Sequence, residues 1–115
     1  MTAVASITAD RFNAQALTSP VPVLVDFYAD WCPPCQAMGP ILDQLKAEIG
    51  QAGRIVKVNV EQEPDLARSY AIRSIPTLIL FVDGRAVERI TGVLSLDALR
   101  DMFGNSSAAA PAPAR

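Results

Sequence analysis

The segment Val21-Pro22-Val23-Leu24-Val25-Asp26-Phe27-Tyr28-Ala29 is apolar at nearly every position instead of alternating. A strand of that composition is covered on both faces. It must sit at the centre of a sheet, with other elements packed above and below. The chain has 115 residues, which on the usual scale of roughly 100–200 residues per domain is one domain with one core. A single ionisable residue, Asp26, interrupts the run.

The rest of the chain supplies the covering layers. Met38, Ile41, Leu42, Leu45 and Ile49 recur at spacings of three and four, which predicts a helix from Pro34 to Ile49 that Gly50 ends. Pro33 precedes another proline and is biased toward extended backbone, so this helix starts no earlier than Pro34. Pro40 lies inside it and predicts a kink. Upstream, Phe12 and Ala16, with Thr8 as a cap, predict a short amphipathic helix from Asp10 to Leu17 that Ser19-Pro20 stops. Arg54 to Val60 reads as a second strand, and Pro64 and Asp65 suit the first turn of a short helix ending near Tyr70. Thr77 to Val82 and Arg85 to Thr91, joined by Asp83-Gly84, read as a β-hairpin whose alternating second arm is an edge strand. Ser95 caps a last helix with Leu96, Leu99 and Phe103 on one face, Leu94 and Leu99 form a staple across the cap, and Gly104 ends it. Strands alternating with helices, then a hairpin and a closing helix, make an α/β fold with a mixed sheet, its central strands parallel and its edge antiparallel. The domain covers residues 1–104, and 105–115 form a flexible Ala/Pro-rich tail without apolar periodicity.

Composition removes several functions. There is no histidine, which excludes Ser-His and Cys-His hydrolases, most zinc enzymes and any imidazole base. A net charge of −2 argues against nucleic acid as a partner. The N-terminus lacks the basic-then-apolar order of a secretory signal, and the longest apolar run, Thr77 to Val82 with Ile75 before it, falls far short of the roughly 18 residues of a membrane span. A cytoplasmic protein without a membrane partner is expected, and there a cysteine pair serves catalysis or metal binding more often than structure.

Cys32-Pro33-Pro34-Cys35 lies between the buried strand and the helix that follows it. Both sulfurs therefore sit at a helix N-terminus, where amide donors and the helix dipole favour a thiolate, the form that attacks a disulfide. Cys35 is within reach to close a ring with Cys32 and release a bound partner as a dithiol. Zinc needs four ligands, which two cysteines and no histidine supply only with carboxylates or a second chain. Haem attachment needs a histidine where Gln36 stands. A structural disulfide across so short a loop gains little chain entropy. Redox exchange is the leading reading. Asp26, ionisable within a doubly covered strand, is either a proton-transfer group or a strand-end carboxylate with a backbone partner. Trp31 is either a wall beside the cysteines or a core residue.

Val23-Leu24-Val25-Asp26-Phe27-Tyr28-Ala29-Asp30-Trp31-Cys32-Pro33-Pro34-Cys35 resembles the active-site segment of the thioredoxin family. The likeness continues through Pro40-Ile41-Leu42, Lys57-Val58-Asn59-Val60, Tyr70 to Thr77, Phe81-Val82-Asp83-Gly84 and Gly92, and covers roughly Ile7 to Phe103. The resemblance implies the thioredoxin fold, a central mixed sheet flanked by four helices, and reduction of protein disulfides. It makes Cys32 the nucleophile, Cys35 the resolving cysteine, the pair a redox disulfide when oxidised, and Asp26 the group that handles the Cys35 proton, with Lys57 modulating Asp26. It makes Ile75-Pro76 the cis-proline loop opposite the cysteines, and Trp31, Pro34, Val60, Ile75, Pro76 and Gly92 a shallow substrate surface. It implies no bound cofactor and no metal, electrons drawn from NADPH through a thioredoxin reductase, disulfide-containing client proteins as partners, and a monomer.

Three residues depart from the family's common pattern. Pro33 stands where glycine is frequent, which predicts a stiffer active-site turn and a shifted reduction potential. Ser74 replaces a frequent glycine and Tyr28 a frequent tryptophan. Besides a general electron donor, the residues admit a specialised redoxin with one client, or a non-catalytic scaffold or chaperone subunit.

Overall fold

The computed structural model describes residues 4–109. Five strands, β1 (Ala5–Ser6), β2 (Val23–Tyr28), β3 (Arg54–Asn59), β4 (Thr77–Val82) and β5 (Arg85–Thr91), form one sheet in the order β1-β3-β2-β4-β5. The apolar run takes the central place that its composition demands. β2 pairs in parallel with β3, which pairs in parallel with β1, whereas β4 runs antiparallel to both β2 and β5.

Side chains alternate across a strand, so β2 feeds two cores at once. Leu24 joins Met38, Leu42 and Leu45 of helix α2 (Pro33–Ile49) and Leu99, Met102 and Phe103 of helix α4 (Leu96–Ala109). Val23, Val25 and Phe27 face the other way, against Phe12, Ala16, Ile79 and Phe81. Helices α1 (Ala9–Phe12) and α3 (Pro64–Ser69) cover that side, where Leu66 and Tyr70 complete the layer. The Tyr70 ring is its hub, 5.6 Å from Phe12, 5.5 Å from Phe81 and 6.1 Å from Phe27 between centroids. The result is a three-layer α/β/α architecture with a mixed sheet.

The hairpin turn is built as its dipeptide dictates. Asp83 and Gly84 both have positive φ, 53° and 80°, as the tight turn that matches strand twist requires. A Cβ on Gly84 would lie 2.7 Å from the Leu17 carbonyl oxygen, so glycine is also required by close approach. β5 is the edge strand, with Arg85 and Arg89 exposed.

The structure differs from the sequence reading at four places. α2 begins at Pro33, not Pro34, because the two prolines take the first two helical positions, where backbone donors have no intrahelical partner. Pro40 lies inside this helix, which extends to Ile49. α4 continues past Gly104 to Ala109. A glycine ends a helix by turning to positive φ, and Gly104 is not among the positive-φ glycines. The remainder of the expected tail, residues 110–115, lies outside the described residues. Thr8 occupies the cap of α1 without capping, since its hydroxyl donates to the Asp10 carboxylate, and the predicted single helix is a turn of α1 followed by wider π-type turns over Asn13–Leu17. β1 was not foreseen, two residues being too short for a periodic signal. At α4, by contrast, the Ser95 hydroxyl does accept from the Ala98 amide at 3.1 Å, with Leu94 and Leu99 in one cluster.

Leu78 on β4 is fully buried between β2 and β5, whereas Val87 on the edge is half exposed. Leu78→Ala is expected to lower the urea-measured unfolding free energy by about 2–5 kcal/mol, and Val87→Ala to change it by less than about 0.5 kcal/mol.

Candidate active site

β2 ends at Tyr28, and only Ala29, Asp30 and Trp31 separate it from Cys32, which caps α2. The Cys32 backbone is extended, at φ −86° and ψ 111°. Its amide donates to the Ala29 carbonyl at 3.3 Å, and its carbonyl accepts from Gln36 at 3.0 Å. Pro33 and Pro34 have no N–H, so the first amide the helix can offer is that of Cys35. That amide donates to Cys32 Sγ at 3.3 Å. A sulfur thus occupies the position that a serine oxygen takes in an ordinary N-cap. The Gln36 side chain reinforces the turn by donating to the Asp30 carbonyl at 2.8 Å.

Both cysteines are free thiols, 3% and 6% exposed, clustered with Ala29, Tyr28, Val60 and Ile75. Cys32 Sγ also lies 3.8 Å from the Ile75 carbonyl oxygen, to which its thiol donates. The Ile75-Pro76 peptide bond is cis. Its loop is tied down on both sides: Thr77 Oγ1 donates to the Ser74 carbonyl at 2.5 Å, and the Gly92 amide donates to the Pro76 carbonyl at 2.8 Å. Gly92 has φ 104° with open space where a Cβ would stand, so backbone conformation is what selects glycine there.

The two thiols sit in unequal fields. The Cys35 thiol is pushed up to about 12, first by burial and then by its hydrogen bond with Cys32, against a backbone hydrogen bond at Ala29 that lowers it; the nearby charges of Cys32 and Asp26 add to the rise. Asp26 is 1% exposed and neither carboxylate oxygen has a hydrogen-bond partner. The alternative of a carboxylate with a backbone partner is therefore absent. Burial raises Asp26 to about 7, opposed by the charge of Lys57, its register partner on β3. No ion pair joins the two; the Lys57 ammonium lies over the Tyr28 ring, 4.2 Å from its centroid.

Of the expected substrate surface, Trp31 is 62% exposed, Pro34 is exposed, and Val60, Ile75 and Gly92 are half-buried. Trp31 is thus a surface residue. The Pro76 side chain is buried, and its carbonyl accepts from the Gly92 amide. Glu61 was missed: its carboxylate accepts from the Trp31 indole N–H at 2.6 Å. The only sequence signal is Asn59, whose side chain accepts from the Glu61 and Gln62 amides and shapes the turn that brings Glu61 there. Among the described residues no three His, Cys, Asp or Glu side chains gather to hold a metal ion, and no helix is long and apolar enough to cross a membrane.

Comparison with known proteins gives a consistent result. The sequence model of the thioredoxin family matches residues 3–105. The chain is 40% identical over 94 residues to "Thioredoxin 1" of Synechococcus elongatus, covering 82% of this chain and 88% of that one. It is 43% identical over 101 residues to the thioredoxin of Chlamydia caviae, covering 88% and 96%. Among solved structures, a mutant thioredoxin from Halobacterium salinarum superposes with a TM-score of 0.80 at 33% identity, covering 89% of this chain and 88% of the other.

The buried carboxyl has a measurable cost. In the unfolded chain Asp26 titrates near 3.8 and in the folded chain near 7, so between those values the folded state holds a proton that the unfolded state has lost. Stability falls as pH rises through that window, by roughly 4 kcal/mol when complete. Asp26→Asn is expected to be more stable than the native protein at pH 8, with most of the difference gone at pH 4, as read by urea unfolding at the two pH values.

Proposed function

The chain belongs to the thioredoxin family and is a thiol-disulfide oxidoreductase, and on that premise we propose that it is a general cytoplasmic electron donor to protein disulfides. The observation that carries the reading is the reduced cysteine pair at the start of α2, with the Cys35 amide directed at Cys32 Sγ. Members of the family need no bound cofactor. The electrons would come from NADPH through a thioredoxin reductase, and the partners would be that reductase and disulfide-containing clients, with the protein acting as a monomer.

In the proposed reaction the Cys32 thiolate attacks one sulfur of a client disulfide. The client S–S bond breaks, a Cys32–client disulfide forms, and the first client sulfur leaves as a thiolate. An extended client segment would lie along the Ser74–Pro76 backbone, between Trp31 and Pro34 on one side and Val60 and Gly92 on the other. Cys35 then attacks Cys32 Sγ, the mixed disulfide breaks, and the second client thiolate departs. Two electrons pass to the client and the Cys32–Cys35 disulfide remains.

The second step needs a base. A thiol held near 12 is ionised to about one part in 10⁵ at pH 7. The contribution from Cys32 disappears in the mixed disulfide, but burial, the largest cause, does not. Asp26, with its carboxyl near 7, holds a large carboxylate fraction at neutral pH and can take the Cys35 proton. Lys57 adjusts that fraction through its charge.

Insulin reduction coupled to NADPH and a thioredoxin reductase tests the assignment. Cys32→Ser is expected to abolish turnover, Cys35→Ser to accumulate the mixed disulfide, and Asp26→Asn to slow exchange at pH 7 by about 100-fold or more. Full cellular function of Cys32→Ser would support a scaffold, and turnover confined to one client a specialised redoxin. The reduction potentials of the protein and of Pro33→Gly are expected to differ, because the substitution restores an N–H and loosens the turn. Equal potentials would remove Pro33 from the account.

A further inference from the structure

We propose that Tyr28 is a positioning residue: its ring holds the Lys57 ammonium away from Asp26, and so keeps a buried proton site from collapsing into an ion pair. The proposal deepens the reading of Asp26 as the base for Cys35 and rests on it for its functional consequence.

The geometry follows from register. Lys57 pairs with Asp26 across the parallel β2–β3 ladder, and Tyr28 is Asp26's next neighbour on the same face of β2. With strands about 4.8 Å apart, the Lys57 side chain has two partners to choose between, the carboxyl opposite and the ring on the diagonal. It takes the ring, with Nζ 4.2 Å from the centroid, while both Asp26 oxygens stay without a hydrogen bond. The ring is itself anchored, since the Tyr28 hydroxyl donates to Ser6 Oγ of β1 at 3.1 Å. The short strand β1 thus acquires a use, as the support that fixes the ring over which the ammonium lies.

The groups that face Asp26 are few. Lys57 approaches from β3 and its charge favours the carboxylate. Cys35 approaches from α2, and the two acids disfavour each other's ionised forms. β4 contributes Leu78 at the paired position, which carries no charge. Among the described residues Lys57 is the one cation whose charge acts on Asp26, and its distance is the variable that the structure can set. Removing the ring frees the ammonium to approach the carboxylate, which lowers the pH at which Asp26 loses its proton. Removing Lys57 raises that pH.

The test is a carbon-13 titration of the Asp26 carboxyl in the reduced protein, with the fold of each variant checked by its amide spectrum. Tyr28→Leu is expected to lower the midpoint by about one unit. Tyr28→Phe, which keeps the ring, leaves it within a few tenths of the native value. Lys57→Met raises it, and adding Tyr28→Leu to Lys57→Met produces no further change. An unchanged midpoint in Tyr28→Leu overturns the proposal, as does the same fall in the Lys57→Met background, because lost packing would then account for it. In the native protein the Lys57 ε-methylene protons are expected upfield from the ring current, and unshifted resonances overturn the proposal without any variant. The exchange rate of Asp26→Asn between about pH 5 and 9 reports separately on the base assignment. A profile identical to the native one would remove that role and leave the titration result standing.

Discussion

The active site depends on one contact, the Cys35 amide against Cys32 Sγ, and on the short connection that makes it possible. Three residues join the end of β2 to the cap of α2, so the position of the sulfur is set by a strand buried on both faces. The two prolines act on the same contact by subtraction. With no N–H at the first two helical positions, the donor capacity of this helix end passes to the third. A residue with an N–H at position 34 would offer a second amide at the position from which a cap side chain can accept; here the Cys35 amide is the one directed at the sulfur.

The second constraint is the balance at Asp26. Burial alone favours the neutral acid and the Lys57 charge opposes it. A direct ion pair would favour the carboxylate more strongly, while a more distant lysine would oppose the effect of burial less. The ammonium on the Tyr28 ring stands between these limits. The ring at position 28 is what the ammonium rests on, and the tyrosine hydroxyl additionally ties that ring to β1.

The sheet was legible because its signals are compositional. A doubly covered β2, an Asp-Gly hairpin and a helix with apolar residues at spacings of three and four each state one element and its neighbours. The candidate site was legible because an ionisable residue in a doubly covered strand, Asp26, and a cysteine pair three positions apart at a helix start, Cys32 and Cys35, stand out from the pattern around them. What sequence could not supply were contacts between segments far apart: Glu61 with Trp31 across thirty positions, Tyr28 with Ser6, and the side on which Lys57 lies. Local rules also failed where two of them competed. The pre-proline bias at Pro33 yielded to the suitability of proline for a first helical turn, and Gly104 did not stop α4 because a glycine inside a helix is only weakly unfavourable, by about 1 kcal/mol against alanine.

The missing histidine connects these points. A base that works near neutral pH needs a proton affinity near 7, which imidazole has unperturbed and a carboxyl on the surface does not. A carboxyl reaches it only by losing water, and a side chain in the central strand of a three-layer fold is where water is lost most completely. In the proposed reaction, the architecture that the apolar run imposes would therefore also be what lets an aspartate do the work of an imidazole. The accompanying loss of stability above neutral pH is carried by the rest of the core, in which Leu24, Phe27, Leu78 and Phe81 lie fully packed around the same strand.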